Sequence, residues 1–394
     1  MTAGFLPVTH QEATLGTAIG SVEVPMPLPR THRSARAMLE ELVRREIASG
    51  RRVHVLFSGG RDSSTVLAVA TTVARRLGAD DPVPVTGVYP RDELASESDW
   101  QRLVLDHLRI RERIVVEIDD ERRVLGAVAR SHLERHGLTW PQAVQTQSVF
   151  FSMLPEGSSI LTGEGGDLVL DAHRGTPIYL TLSAFPRVRR AHLRAVRDAF
   201  VPGALLLRAI RAKVETVFPW LTPAGAAMLA KDQLAERGPL RWDESTRRLL
   251  HRRANVLIDH NSVKAASECG VRLRHPFTEP EFLSAIATEG GPGGFRGRTH
   301  IFRHLASDLL PDEILSRTSK AAFNVSRWGQ EERAFAEEWD GWGLDENLVD
   351  PVALRRHWLG DRPLPFTFTA LQAAWLATKP PATGVAMNVR GGLP

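Results

Sequence analysis

Short apolar runs alternate with segments of helical spacing through the first 165 residues or so. Val53-His54-Val55-Leu56-Phe57 reads as a buried strand, and beyond it Val66, Leu67, Val69, Ala70, Val73 and Leu77 share one helical face until Gly78 stops it. The same pattern predicts a helix capped by Ser34 and running to Ser49, where Gly50 closes it. Helix 62–77, strand 84–89, helix 96–108, strand 113–118 and a helix from about 120 to 136 follow. Trp140-Pro141 breaks the chain before a helix of about 142–154, and a strand at 159–162 comes next. Strands alternating with helices over short links predict an α/β fold, a parallel doubly wound sheet covered on both faces. From about residue 180 the strand signal fades and amphipathic helices dominate. Residues 1–30 read as irregular, since Pro25-Met26-Pro27-Leu28-Pro29 excludes a helix, and the tail from Pro380 is Pro/Gly-rich and reads as loose. The expected organisation is an N-terminal extension with one helix (1–50), an α/β core (51–180) and a mainly helical part (181–394) that completes the same unit to about 330.

Between the first strand and its helix lies Ser58-Gly59-Gly60-Arg61-Asp62-Ser63-Ser64. A strand, a glycine-rich turn and a helix start form an anion site, because backbone N–H groups and the helix dipole point into the turn. Adjacent glycines allow close approach of phosphate, and Ser58, Ser63 and Ser64 add hydroxyl donors. Asp62 would repel bare phosphate, so its presence makes sense with Mg²⁺ between them. This stretch resembles the SGGxDS loop of the ATP pyrophosphatases, which include asparagine, β-lactam and argininosuccinate synthetases and tRNA-modifying enzymes. No Gly-Lys-Ser/Thr follows the glycines, so it is not a Walker A loop. The resemblance implies cleavage of ATP between its α and β phosphates. ATP is expected at Ser58, Gly59, Gly60, Asp62, Ser63 and Ser64, at Val88 where the next strand ends, and at Thr162 and Gly163.

Gly163-Glu164-Gly165-Gly166-Asp167 follows strand 159–162 and is too flexible and too charged for a core strand. It is similar to the GEGxD motif of asparagine synthetases. That likeness implies that Asp62 and Asp167 share Mg²⁺ and that Glu164 is the base for the attacking nitrogen. β-Lactam synthetases carry tyrosine at the position of Glu164, and Leu168 departs from the acid usual after the aspartate. Two further segments fit: Lys264 to Phe277 resembles KxxSxxGxExRxPFLD, and Leu310 to Phe323 resembles LPxxIxxRxKxxF. By this match Lys264 and Lys320 face the phosphates and the acyl-adenylate. Arg272 stands where the family often has glutamate and Glu279 where it often has aspartate, which implies a sign reversal near the substrate pocket.

The resemblance covers about residues 50–330. Glutamine-dependent asparagine synthetases begin with a glutaminase domain whose nucleophilic cysteine follows the initiator Met. Here residue 2 is Thr and the only cysteine is Cys269, so nitrogen is expected as free ammonia, from a separate glutaminase, or as a substrate amine. A single cysteine also excludes internal disulfides and cysteine zinc clusters, which suits a cytoplasmic protein. No apolar stretch has the length of a membrane span. Net charge is +4, and residues 187–215 are dense in arginine. That face reads first as the solvated side of a helix pair, with an acidic peptide or a carrier protein as alternatives and nucleic acid a minor one, since no RNP-like motif accompanies it.

The expected chemistry is an AMP-forming carbon–nitrogen ligase acting on a small-molecule or peptide carboxylate. Intermolecular amide formation, with asparagine from aspartate as its simplest case, competes with intramolecular closure as in β-lactam synthetases or lasso-peptide cyclases. A non-catalytic nucleotide-binding relative is a third reading, opposed by the intact Ser58, Asp62, Glu164, Asp167 and Lys320.

Overall fold

The computed structural model describes residues 4–22, 29, 31–90, 97–184, 189–318 and 327–379. Five parallel strands form one sheet: β1 Val53–Leu56, β2 Val83–Val88, β3 Ile114–Glu117, β4 Ser159–Thr162 and β5 Arg272–Arg274, in the order β3-β2-β1-β4-β5. The central strands are apolar because both their faces are covered, as parallel sheets require. Val55 and Leu161, register partners, point into one cluster with Phe57, Val66, Leu67 and Phe282. Ile160 and Leu273, also partners, point into another with Val116, Phe150, Phe151 and Ala266. A third cluster unites the C-terminal helices around Trp339, Trp358, Phe368 and Trp375, and it takes in Val124, Leu125 and Leu133 from the α/β half. Among the described residues no helix is long and apolar enough to cross a membrane.

The strands read from the pattern between 53 and 162 all form, as does the helix Ala35–Ala48 with Ser34 accepting the Ala37 N–H. Four readings change. Residues 1–30 are not wholly irregular: His10–Leu15 is a helix with a reciprocal Thr9–Glu12 capping box, and buried Glu12 pairs with Arg253 at 2.6 Å. The helix expected from 120 begins at Ala127, after turns. The helix expected over 142–154 is a 3₁₀ turn, Val144–Thr146, and one short helix, Ser148–Phe151. A strand also lies beyond residue 180: β5 has only Leu273 as an apolar side chain, so hydropathy hides it. Its two arginines reach buried Glu46, Arg272 at 3.2 Å and Arg274 at 3.3 Å.

Candidate active site

In a doubly wound sheet, ligands bind beyond the carboxyl ends of the strands where the order reverses. Here that point lies between β1, whose next strand in sequence pairs on one side, and β4 on the other. Both glycine-rich turns leave the sheet at this crevice. After β1, Gly59 takes φ 86°, and Gly60 caps the helix Arg61–Arg76 without a side-chain bond. The Ser58 hydroxyl accepts the Gly60 N–H at 3.3 Å, and the Ser63 hydroxyl accepts the Ser58 N–H at 3.3 Å while donating to Gly60 O at 3.2 Å. The turn is thus folded by its own serines, with first-turn N–H groups left without intrahelical acceptors. Gln101 supports it from behind, donating to Ser58 O at 3.3 Å.

The turn after β4 interlocks with this loop. A Cβ on Gly163 would lie 2.6 Å from Ser63 N, one on Gly166 would collide with Asp62 Oδ1, and one on Gly165, at φ 80°, with Thr278 Cγ2. These glycines are therefore contact residues: side chains there would push Asp62 off the second turn. Thr162 Oγ1 accepts the Glu164 N–H at 3.1 Å and lies 2.6 Å from His275 Nδ1. His275 is wholly buried, burial pushes its pKa down, and its Nε2 has no hydrogen-bond partner. Neutral His275 and Thr162 thus set where Glu164 leaves the strand. Glu164 and Asp167 are exposed on the open side of the turn.

Three arginines complete the site, and the sequence reading assigned none of them. Arg298, at the start of the helix Arg298–Ala306, places Nη2 2.7 and 2.6 Å from the two Asp62 oxygens, while its buried Nε has no partner. Arg61 donates to Thr299 Oγ1 at 3.3 Å, and Arg61 and Arg298 both lie over the Phe302 ring, 5.2 and 5.4 Å from its centre. Burial, and next the Arg298 charge, push the Arg61 pKa down. Arg317 is buried behind the loop. It donates to Gly59 O at 3.0 Å, bonds buried Glu97 at 2.6 Å and stacks on Trp100 at 4.5 Å. The signals were present: Arg61 is the variable position of the first loop, and Arg317 is the arginine of the LPxxIxxRxK frame. Arg298 follows only a glycine-rich stretch.

The crevice therefore gathers Ser58, Gly59, Gly60, Asp62, Ser63, Thr162, Gly163, Glu164 and Asp167. The placement of the other expected residues varies. Ser64 is fully buried, with its hydroxyl unpartnered and its N–H bonded to Gly60 O, so it faces away from the turn. Val88 ends β2, half-buried, with its carbonyl accepting the Ile118 N–H. Lys264 does not join the site. It sits one turn before the end of the helix Arg253–Glu268, which leads into the amino end of β5, and it pairs there with Glu268 at 3.3 Å, beside Phe5. Arg272 likewise occupies the beginning of β5 against Glu46, so the sign reversal there concerns the sheet edge. Glu279 precedes the helix Pro280–Gly290, 3.4 Å from Arg274, with burial pushing its pKa up. Lys320 lies outside the described residues. Among the described residues no three His, Cys, Asp or Glu side chains gather as a metal cluster.

A profile of the asparagine synthase family matches residues 34–374, a span that includes both turns and all three arginines. The chain belongs to the asparagine synthase family. No curated protein matches the chain closely enough to add a named relative. This family member is an asparagine-synthetase-like, ATP-dependent ligase, and its family acts on small molecules with ammonia or an amine as nitrogen donor. The match starts at Ser34, which caps the helix Ala35–Ala48 ahead of β1.

Proposed function

We propose that this asparagine synthase family member adenylates a substrate carboxylate and transfers the acyl group to ammonia or an amine, releasing AMP and pyrophosphate. The observation that carries this reading is the interlock at the crevice: Asp62 from one turn is seated under Gly163 and Gly166 of the turn that bears Glu164 and Asp167. A carboxylate is a poor acyl donor because oxide would have to leave. Attack of its oxygen on the α-phosphorus breaks the bridge to the β-phosphate and converts it to an acyl-adenylate. The amine nitrogen then attacks the acyl carbon, the bond to AMP breaks, and a proton passes to Glu164.

The first loop's N–H groups and the Ser58 hydroxyl face pyrophosphate, and Arg61 and Arg298 counter its charge. The unpartnered Nε of Arg298 fits a phosphate oxygen, since buried donors without acceptors are rare in folded chains. The residues also fit Mg²⁺, which takes one or two carboxylates and completes its oxygen shell with phosphate and water. Asp62 and Asp167 are the two carboxylates, and the missing Cβ at Gly166 gives Asp62 the space it occupies against the second turn. Bound there, the ion would neutralise charge on the phosphates.

Cys269 is half-buried, and burial pushes its thiol pKa up, so within this chain it is no glutaminase nucleophile. Nitrogen arrives as ammonia, by way of a separate glutaminase, or on a substrate. We read the chain as one synthetase unit, because Arg298 and Arg317 from the helical part complete loops of the α/β core. Intramolecular closure is the same chemistry with acid and amine on one molecule. It is favoured by the broad exposed apolar and basic surface that starts at Leu168, beside Asp167.

The test is ATP labelled in the α-phosphate, with candidate carboxylates: AMP and pyrophosphate should form in equal amounts, and stoichiometric ADP would overturn the reading. Glu164→Gln should keep pyrophosphate exchange into ATP and slow amide formation by about 10²–10⁴, the usual range for a lost general base. Equal loss of both would move Glu164 to the metal or to substrate binding.

A further inference from the structure

Downstream of Asp167 the chain leaves several large apolar side chains exposed. Leu168 and Tyr179 are 36 and 37% exposed, and Leu182, Leu193, Phe200 and Leu205 are 67, 58, 55 and 59% exposed. Leu168 lies in the short helix Gly166–Val169, and the others belong to or flank three helices, Thr176–Ser183, Arg190–Ala199 and Gly203–Val217. Leu193, Val196 and Phe200 recur at helical spacing on one side, yet among the described side chains of Arg190–Ala199 only Ala199 is buried. An amphipathic helix normally buries such a stripe. Among the described residues nothing buries it.

The surface is held in place. Arg174 donates to Ala199 O at 2.8 Å, and Arg237 donates to Val201 O at 2.6 Å and to Ala199 O and Asp198 O at 2.8 Å. It also begins at the candidate site: Leu168 follows Asp167, and the Tyr179 ring packs on Gly293, five residues before Arg298. Residues 189–213 carry seven arginines and lysines against Asp198 alone.

We propose that this face is the docking surface for an acidic, amphipathic peptide segment whose chain enters the adenylation crevice, so that the substrate is a peptide carboxylate. The inference rests on the proposed ligase reading and names its substrate class. Charge selects the occupant. A second copy would oppose basic to basic on a chain already at +4. Of its six exposed apolar side chains four are leucines, and only Tyr179 and Phe200 could stack on a base, so the face is a poor platform for a run of bases. The clamped end of Arg190–Ala199 and its buried Ala199 set it apart from a helix free to lie along a lipid surface. A peptide with Glu or Asp on one side and Leu or Phe on the other satisfies both the cations and the apolar stripe.

The test uses a fluorescein-labelled 18-residue peptide of that pattern, with anisotropy as the readout on the full chain. Controls are its scrambled form, its Glu→Lys form, phosphatidylserine vesicles and oligouridylate; mant-ATP binding reports the crevice separately. Saturable peptide binding is expected, weakened at least about tenfold by Leu193→Ser with Leu205→Ser, and likewise by Arg190→Glu with Arg194→Glu. All four side chains are exposed, so circular dichroism and mant-ATP binding should not change. Absent binding, equal binding of the scrambled or lysine peptide, stronger binding to vesicles or RNA, or a dimer that shields Leu193 would each overturn the proposal. Peptide binding without mant-ATP binding would instead count against the ligase reading and leave the docking surface standing.

Discussion

Replacing Arg317 separates the stability of the site from its function. The Arg317 and Glu97 side chains are 5 and 6% exposed, so Arg317→Met would strand a carboxylate in the interior. Breaking one side of a buried ion pair costs about 3–5 kcal/mol. The Gly59 carbonyl, 3.0 Å from Arg317 Nη1, would lose a charge-assisted bond worth about 1.5–3 kcal/mol, and Trp100 would lose its stacked guanidinium. Urea denaturation of Arg317→Met should show a loss of at least about 3 kcal/mol. The double variant Glu97→Leu with Arg317→Met removes both charges, and a buried pair replaced by apolar side chains is often neutral in stability. It should regain most of the lost stability but not the loop. Its apparent KM for ATP in pyrophosphate exchange should stay about ten- to a hundredfold above that of the parent chain, which matches the lost bond to Gly59. A single variant within 1 kcal/mol of the parent would refute the buried-pair argument. A double variant with normal exchange would show that Gly59 does not depend on Arg317.

Other parts of the site make separate predictions. Asp62→Asn or Asp167→Asn should lower turnover at least about a hundredfold with the fold retained by circular dichroism, from the several kcal/mol that a metal supplies to a charged transition state. Gly166→Ala should cost comparable activity although it adds one methyl, because the methyl meets Asp62 Oδ1; kinetics together with a denaturation curve would tell displacement of Asp62 from global unfolding. His132, buried beside Phe5, His136 and Arg135 and bonded to Thr139, has its pKa pushed down to about 4 by burial. Its neutral form is the folded form, so stability is full above pH 6.5 and falls as pH drops toward 4, by up to about 3 kcal/mol at 1.36 kcal/mol per unit. His132→Gln should flatten that slope in urea titrations between pH 4 and 6.5.

The strands that build the crevice were legible because each is a short apolar run ended by glycine-rich turns, the signature of a sheet buried on both faces. The glycines of both turns were legible as loop formers, but their second purpose was not. Gly163 and Gly166 are small because Asp62 and Ser63, a hundred residues earlier, occupy the space a side chain would need, and no local pattern reports that. β5 escaped because an edge strand flanked by paired arginines has one apolar side chain to show. Lys264 looked functional in its frame, yet a helix that leads into a strand carries its last turn to the strand's beginning, away from the phosphate turns. Arg298 was invisible for the opposite reason: one cation among 50 has no distinguishing neighbour in sequence, whereas Arg317 stood in its frame, and in both cases only folding shows which carboxylate it meets.

The balance of charge at the crevice explains why these cations sit there. Arg61 and Arg298 flank one phenyl ring, and the Arg298 charge raises the cost of the charge on Arg61. Among the described residues Asp62 is the carboxylate that contacts Arg298, while Arg61 bonds the Thr299 hydroxyl and the Leu315 carbonyl and feels the charge of Asp62 and, less strongly, of Asp171. Around the Phe302 ring two guanidiniums meet Asp62 beside a helix start that adds positive potential of its own, so this side of the crevice is short of negative charge, while Glu164 and Asp167 lie exposed on the other turn. A fold carries such an excess at low exposure only at a cost, since like charges in a partly desolvated space repel strongly. A polyphosphate removes that cost by supplying what both arginines and the helix start lack. That is a physical reason, apart from the loop motif, to seat ATP's phosphates at Gly59-Gly60 with Arg61 and Arg298 around them.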